Sequence, residues 1–236
     1  MSAIASAHWL ADKVATRPDR EQMRWASFGG GAGIAYVFVH LLPELASHGQ
    51  ALSEAPGMET FAPTPITEAL LFLIALAGIM VTYSIDVLAT HERQAGRIAG
   101  SLHTLHFAAI SYLYAYSLPS LISTGLAYGI LFTIAISAHV LLADRTMAAR
   151  HPAIFRTRMR WLGTAALALG LLHAALLHPV ADFHLAIATA YLGGGLLMAV
   201  FREELPAVNR TRLGWFLAGT TSMTSLLLLA LSHATH

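Results

Sequence analysis

The chain has 236 residues, of which 56% are hydrophobic and 11% charged, and its formal net charge is +1. Soluble domains carry roughly a quarter charged residues, so this composition indicates an integral membrane protein. The near-neutral charge gives no reason to expect a nucleic-acid partner. The absence of cysteine excludes disulfides, thiolate metal sites and thioether-linked haem, which leaves His, Asp and Glu as the strong metal ligands.

Hydrophobic runs long enough to cross a bilayer predict seven spanning helices. They cover approximately residues 23–42, 66–89, 101–119, 121–143, 159–177, 183–201 and 213–231. We expect residues 1–22 to be a cytoplasmic or interfacial segment, because their charges follow the apolar residues, unlike in a cleavable signal peptide. Pro43 is expected to end the first span. Residues 23–233 are therefore predicted to form one all-α, seven-helix transmembrane domain.

The basic residues predict the orientation of the chain. All fourteen lie at the N-terminus or beside the second, fourth and sixth connectors: Lys13, Arg17, Arg20, Arg24, Arg93, Arg97, Arg145, Arg150, Arg156, Arg158, Arg160, Arg202, Arg210 and Arg212. Basic residues accumulate on the cytoplasmic side of membrane proteins. We therefore expect a cytoplasmic N-terminus and an external C-terminus, in a bacterial inner membrane.

The first and sixth spans share a pattern of glycines near the start and a leucine–proline pair at the end. At an offset of 163 positions, Gly30, Gly31, Phe38, Leu42 and Pro43 match Gly193, Gly194, Phe201, Leu205 and Pro206. The two spans are predicted to cross in opposite directions, which is typical of transporters built from inverted repeats. Glycine-rich helices also align by chance, so the pattern by itself leaves both interpretations open.

Ionisable residues within the predicted spans are the candidate functional groups. Five are predicted to lie in the cytoplasmic half: Asp86, His103, His106, His139 and Asp144. His103 and His106 are three residues apart and so share a helical face, whereas Asp144 is expected well round the helix from His139. Intramembrane ionisable groups often mark ion pathways, cofactor ligands or proton relays. The alternatives are core imidazoles bonded to nearby hydroxyls, and interfacial carboxylates paired with arginines.

The outer half contains a second, smaller set of candidates. His40 and His173 are predicted there, either as an entry site for an ion or as part of a solvated rim. Tyr112, Tyr114 and Tyr116 are expected to form part of the external aromatic belt.

Several stretches resemble the ZIP family of divalent-metal transporters, which are eight-helix proteins that carry zinc and related ions toward the cytoplasm. The HLLPE sequence from His40 to Glu44 is similar to the exit of that family's second helix. Residues 66–93, with Asp86, resemble its third helix, AYLGGGLLMAVFREELP its seventh, and the last span its eighth. The family's first helix has no counterpart among the seven spans. The resemblance implies a ZIP-like bundle that transports a divalent metal.

The family's metal-binding motifs are only partly kept. A pattern of the form His-Asn-x-x-Asp/Glu-Gly corresponds to the stretch from His103 to Ala108, and His-Glu-x-Pro-His/Glu corresponds to the stretch from His139 to Ala143. Each retains the leading His and loses the carboxylates, so the family's carboxylate-bridged binuclear site is excluded. The ligands implied here are His103, His106, His139 and Asp86, with Asp144, His40 and His173 as further candidates. Such a set suits Zn²⁺ or another divalent transition metal.

Three functions remain open from the sequence, and no enzyme motif accompanies them. The leading prediction is ZIP-like transport of a divalent metal, zinc first. The second is a non-transporting relative that serves as a structural or assembly subunit of a homodimer or larger membrane complex. The third is a haem-b-binding protein in which His106 and His139 are the axial ligands.

Overall fold

The protein is helical throughout the part that the computed structural model describes. The described residues are 1–15, 19–53, 65–90, 92–150, 152–177, 182–204 and 207–234, and no strand occurs among them. The α-helices are α1 Ser2–Ala15, α2 Asp19–Tyr36, α3 Leu42–Ser53, α4 Pro65–Thr90, α5 Glu92–Thr124, α6 Leu126–Arg150, α7 Pro152–Ile154, α8 Arg160–Leu176, α9 Asp182–Ala199 and α10 Leu213–Ala234. Turns of π-helix at Val37–Leu41, Phe155–Met159 and Val200–Glu204, and a 3₁₀ turn at Val208–Arg210, complete them.

Five helical stretches among the described residues are long and apolar enough to cross a membrane. They are Arg20–Ser47, Leu126–Ala149, Pro152–Leu176, His184–Arg202 and Leu213–Ser232. A shorter apolar stretch, Ala69–Ile85, lies on α4. By length and composition, the chain is therefore an all-α integral membrane protein. The predicted runs fall on helical stretches, although the run 121–143 begins in α5 and continues in α6 beyond Gly125. Only five stretches meet these criteria, so the expected count of seven spans stays a prediction.

The first span continues past the proline that was expected to end it. Val37–Leu41 forms a π turn in which the Leu42 N–H donates to the Val37 carbonyl, and α3 follows directly. A proline within a helix lacks the N–H donor and crowds the carbonyl four residues earlier. The widened π turn immediately before Pro43 accommodates this, so the helix continues past Pro43 and does not end there.

The N-terminal segment forms α1, which packs against the bundle. Its buried residues are Ile4, Ala7, His8 and Ala11, which recur at helical spacing and form one apolar stripe. This stripe packs on α6 and α8. Residues 2–15 are thus an integral part of the fold, and the expected domain boundary at residue 22 separates helices that belong to one bundle.

Two helix pairs are held together by glycines that allow backbones to touch. In the α2–α10 pair and in the α4–α9 pair, a Cβ on either glycine would overlap a carbonyl oxygen of the facing helix: Gly31 with Phe216, Gly219 with Phe28, Gly78 with Tyr191 and Gly194 with Ala75. Small residues at helix contacts are the usual device of membrane bundles. Between these pairs, α5 and α6 pack side by side, and α5 also packs on α8.

Candidate cation site

A cavity of about 130 Å³ lies where α1, α4, α5, α6 and α9 meet. Its polar lining consists of His8, Thr82, His103, His106, Ser111, Tyr114, His139 and Asp144. We call this space the histidine cavity. A cavity needs only about 10–15 Å³ by this measure to hold one water, so several waters or a hydrated ion would fit. Four imidazoles and one carboxylate therefore surround a common space inside an apolar bundle.

Helix α5 supplies two histidines, His103 and His106, that are three residues apart. His103 and His106 lie on the same face as Ile110 and Tyr114, at intervals of three and four residues, and all four line the histidine cavity. His106 Nε2 lies 3.3 Å from the Thr82 hydroxyl oxygen on α4. The side chains of both histidines are only partly exposed. The third predicted span thus presents its polar stripe to the cavity and not to lipid.

Helix α6 supplies His139 and Asp144. Their separation of five residues places them well round the helix from each other, and both nevertheless line the histidine cavity. Val140 and Ala143 lie between them on the same wide stripe. Asp144 faces α1, which closes the cavity on that side. The cavity therefore extends around α6 and contacts more than one of its faces. His139 is 8% exposed and contacts the Tyr114 ring edge-on, at 6.2 Å between centroids.

His8 is the residue that sequence reasoning missed. Its Nδ1 lies 2.5 Å from Asp144 Oδ2, and both residues are almost fully buried, at 1% and 3% exposure. The Nε2 atom of His8 is buried and has no hydrogen-bond partner among the described residues. The apolar stripe that contains Ile4, Ala7 and Ala11 was the available signal, since His8 occupies a position on it. The order of apolar and charged residues in this segment predicted only a cytoplasmic or interfacial position and gave no partner for His8.

Two of the remaining candidates, His40 and His173, do not line this cavity. Asp86 lies on α4, but its side chain is outside the described part of the structure. His173 is exposed on α8, where its Nδ1 is hydrogen-bonded to the Tyr112 hydroxyl. The entry site expected from His40 and His173 together is not among the contacts of the described residues, since each ring has different partners.

His40 is buried and does not form part of a solvated rim. It belongs to the π turn of the first span and is 8% exposed. Its Nε2 lies 3.3 Å from Glu44 Oε2, within ion-pair distance but outside hydrogen-bond geometry. Its ring stacks on Tyr128 at 5.4 Å between centroids. The fixed π turn and the aromatic contacts hold this imidazole beside the carboxylate.

A second, smaller cavity lies next to the histidine cavity. Its volume is about 20 Å³, and its polar lining includes Tyr36, Glu44, Tyr114 and Ser117. We call it the Glu44 cavity. Tyr114 lines both spaces, and it is 3% exposed, so the expectation that it belongs to an external aromatic belt is wrong. Ser117 Oγ is buried without a hydrogen-bond partner among the described residues, and the volume suffices for one water beside it.

Within the described residues, no three His, Asp or Glu side chains stand close enough together to hold a metal ion. The histidine cavity therefore brings donors to one space without arranging them as a coordination shell. Imidazoles are the ligands that Zn²⁺, Cu²⁺ and Co²⁺ accept readily, and a site with few carboxylates does not suit Mg²⁺ or Ca²⁺. Side-chain rotation into the cavity would be needed to complete such a shell.

Comparison with known proteins does not narrow the class further. A search of protein-family models finds no match to this chain, and a search of curated proteins finds no relative. The candidate site consequently rests on the residues and on the geometry described above.

Proposed function

We propose that the protein transports a divalent transition metal, zinc first, across the membrane in the manner of the ZIP family. The proposed ligands are His103, His106 and His139, with Asp86 as an acidic partner near the same end of the bundle. The observation that carries the proposal is the convergence of His103, His106 and His139 on one cavity of about 130 Å³ between apolar helices. Ionisable groups are costly inside a bilayer, and a group of them around a cavity is typical of an ion pathway.

The two neighbouring cavities support a path through the bundle. The Glu44 cavity and the histidine cavity are separated by Tyr114, which lines both. A cation that enters beside Glu44 would meet a carboxylate and the Ser117 hydroxyl before it reaches the imidazoles. In this proposal Tyr114 is the barrier between the two spaces, and its displacement opens the path.

An inverted repeat would supply the movement that transport needs. The π turns Val37–Leu41 and Val200–Glu204 occupy corresponding positions at the same offset of 163 that relates the first and sixth spans. The reciprocal glycine contacts of the α2–α10 pair also have a counterpart in the α4–α9 pair. Matching irregularities in two helices support a repeat more strongly than glycines alone. Rocking of one repeat against the other is the usual basis of alternating access.

Arginine and aromatic side chains support an inward N-terminus. The Arg160 guanidinium lies 4.3 Å from the centre of the Trp9 ring, and Arg24 lies 5.9 Å from that of Trp215. Tryptophan is enriched at the membrane–water interface, and arginine on its cytoplasmic side. These pairs are consistent with a cytoplasmic N-terminus and an external C-terminus in a bacterial inner membrane.

The alternative function is a non-transporting structural or assembly subunit of a homodimer or larger membrane complex. The loss of the family's carboxylates favours it, as does the lack of a preassembled three-ligand group among the described residues. A haem-b site is disfavoured by size, because pockets for molecules of that size are about 300–1,000 Å³ and the histidine cavity is about 130 Å³.

Zinc uptake into proteoliposomes tests the proposal. Replacing His103 by Ala removes an imidazole from the histidine cavity and should lower the uptake rate by about tenfold or more. The matched control is His184→Ala, which removes an exposed imidazole that does not line the cavity and should leave uptake unchanged. Uptake by the unaltered protein that equals the rate of empty liposomes would favour the non-transporting alternative.

The pH dependence of uptake is a second test of imidazole ligands. Free imidazole titrates near pH 6.5, and a protonated imidazole cannot bind a metal. Uptake should therefore be full above neutral pH and fall as the pH drops through about 7 to 6. Uptake that stays constant down to pH 5 would contradict ligation by histidine.

A further inference from the structure

A patch of arginine and tryptophan side chains lies where α1 meets the start of α8. The Arg160 guanidinium lies 4.3 Å from the centre of the Trp9 ring. The Trp9 and Trp161 rings meet edge-on at 4.8 Å between centroids, and the Trp9 Nε1–H donates to the Thr164 hydroxyl. Arg158 and Trp161 are both exposed, which places them on the outward side of the helix. We call Trp9, Arg158, Arg160 and Trp161 the arginine–tryptophan patch.

The π turn before α8 explains why its arginines point outward. The two ends of the turn, Phe155 and Met159, are buried at 1% and 2% exposure and belong to an apolar cluster shared with α1 and α6. Arg156 and Arg158 lie between these ends and are exposed. The apolar ends therefore anchor the turn to the bundle, and its cationic side chains face the surroundings.

The patch carries positive charge that the described residues do not neutralise. Arg156 Nε donates to Asp12 Oδ2 at 2.7 Å, so the charges of this neighbouring pair balance each other. Arg158 and Arg160 form no ion pair among the described residues. A guanidinium presents several N–H donors in a planar fork, a geometry that matches the oxygens of a phosphate. The patch thus offers two cationic groups to an anionic partner.

The depth of the patch is set by α8, which is one of the helices of spanning length. From Arg160 to Leu176 it has 17 residues, which at 1.5 Å per residue is about 26 Å, close to the thickness of the hydrocarbon core. Arg160 at its start is its only charged residue. Tryptophan is enriched at the level of the lipid headgroups, and Trp9 and Trp161 are 37% and 56% exposed here. The patch therefore lies at the edge of the hydrocarbon, beside the lipid phosphates.

We propose that the arginine–tryptophan patch binds an anionic phospholipid such as phosphatidylglycerol. Arg158 and Arg160 donate to the phosphate, and the rings of Trp9 and Trp161 contact the glycerol and the upper part of the acyl chains. A zwitterionic headgroup binds less well, because its ammonium group offsets the attraction of the phosphate. Since Trp9 belongs to α1 and Arg160 to α8, the bound lipid contacts both helices and stabilises the packing of α1. This role goes beyond the proposed transport and is independent of it.

Quenching of tryptophan fluorescence by brominated lipids in phosphatidylcholine vesicles tests the proposal. Replacing Trp25 and Trp215 by Phe leaves Trp9 and Trp161 as the only tryptophans, and both replaced side chains are exposed, at 55% and 42%. At equal mole fraction, brominated phosphatidylglycerol should quench this protein more than brominated phosphatidylcholine does. An arginine near the membrane surface strengthens the binding of anionic lipid by about fivefold. Equal quenching by the two lipids would overturn the proposal.

Arginine variants in this background identify the site. Arg158→Gln should lower the relative affinity for phosphatidylglycerol by about fivefold, and Arg158→Gln with Arg160→Gln should abolish the preference. The matched control, Arg20→Gln with Arg212→Gln, removes the same charge from exposed positions elsewhere and should keep it. An equal loss in both double variants would indicate general attraction to a basic surface and overturn the patch as a site.

Two further outcomes are decisive. If the double variant of the patch does not fold, Arg158→Gln alone decides, because this side chain is exposed, and an unchanged preference in it overturns the proposal. If inorganic phosphate removes the preference and chloride at the same ionic strength does not, the patch takes free anions, which overturns a lipid as its partner. A preference that phosphate and chloride affect equally supports the lipid.

Discussion

The position of the His8 ring depends on a residue with no side chain. An added Cβ at Gly163 would lie 2.7 Å from His8 Nε2 and 3.0 Å from Cε1 of Phe107. Both distances are shorter than ordinary van der Waals contact, so the two rings would have to move. His8 cannot move without disturbing its hydrogen bond to Asp144.

Gly163→Ala should therefore destabilise the protein, although alanine favours helices more than glycine does. Overpacking of a filled interior costs about 1–3 kcal/mol, which outweighs the gain of about 1 kcal/mol in helix propensity. Thermal unfolding in detergent measures the difference. The control is Gly214→Ala on α10, where an added Cβ meets nothing within 4 Å. We expect that control to match or slightly exceed the unaltered protein, and equal stability of the two variants would contradict the contact.

Spacing along the sequence predicted some site residues and could not predict others. His103 and His106 were identified because two imidazoles three residues apart in an apolar run share a helical face, and both line the histidine cavity. The contact of His8 with Asp144 joins residues 136 positions apart, and no local pattern signals it. Whether His103, His106 and His139 bind a metal stays a prediction.

Two helices of the bundle show the same irregularity at the same place. The π turns Val37–Leu41 and Val200–Glu204 each stand just before a leucine–proline dipeptide of the sequence. The proline explains why a regular α-helix is unfavourable there. The proline therefore correctly indicates where the regular α-helix is interrupted. It does not show whether the helix ends there or continues through a π turn, because the two cases have no distinguishing residue composition.

Neighbouring glycines on α9 should respond differently to the same substitution. At Gly194 a Cβ would overlap the Ala75 carbonyl oxygen of α4, whereas at Gly193 it would meet the Leu41 side chain at 3.5 Å, an ordinary contact. Gly194→Ala should lower stability by about 1–3 kcal/mol, because backbone cannot yield as a side chain can. For a chain of this size that corresponds to a fall of roughly 2–12 °C in the unfolding midpoint.

Gly193→Ala is the internal control for that experiment. It adds the same methyl group to the same helix one residue away, and it should unfold within about 2 °C of the unaltered protein. Equal losses at both positions would indicate that α9 tolerates no added volume, and the close approach of α4 and α9 would then not be the reason.

The whole molecule has an orientation that its basic residues predict. All fourteen lie at the N-terminus or beside three of the connectors that are expected to be cytoplasmic. Two reporter domains fused after His236 test this orientation. A reporter that is active only outside the cytoplasm should be active, and a reporter that is active only in the cytoplasm should be inactive. The reverse pattern would overturn the orientation, and with it the assignment of the histidine cavity to the cytoplasmic half.

For the whole molecule, amino-acid composition was sufficient to predict the class of protein but not how its helices pack together. Few charges and long apolar runs predicted an all-α membrane protein, and the structure confirms the helical class with five apolar helices of spanning length. The sequence did not predict the packing of α1, which has 14 residues and contacts α6 and α8. The pairing of helices depends on glycine contacts between residues far apart in sequence. The sequence of one helix alone does not reveal such contacts.

The N-terminal helix has an unusual place in the order of synthesis. Its specific contacts reach forward by 136 residues to Asp144, by 144 to Arg156 and by 155 to Thr164. Ribosomes add about 5–20 residues each second, so α1 emerges roughly 7–30 s before its partners exist. Helix α1 is thus made long before the residues that hold it, and until they are made the wall that it contributes to the histidine cavity is open.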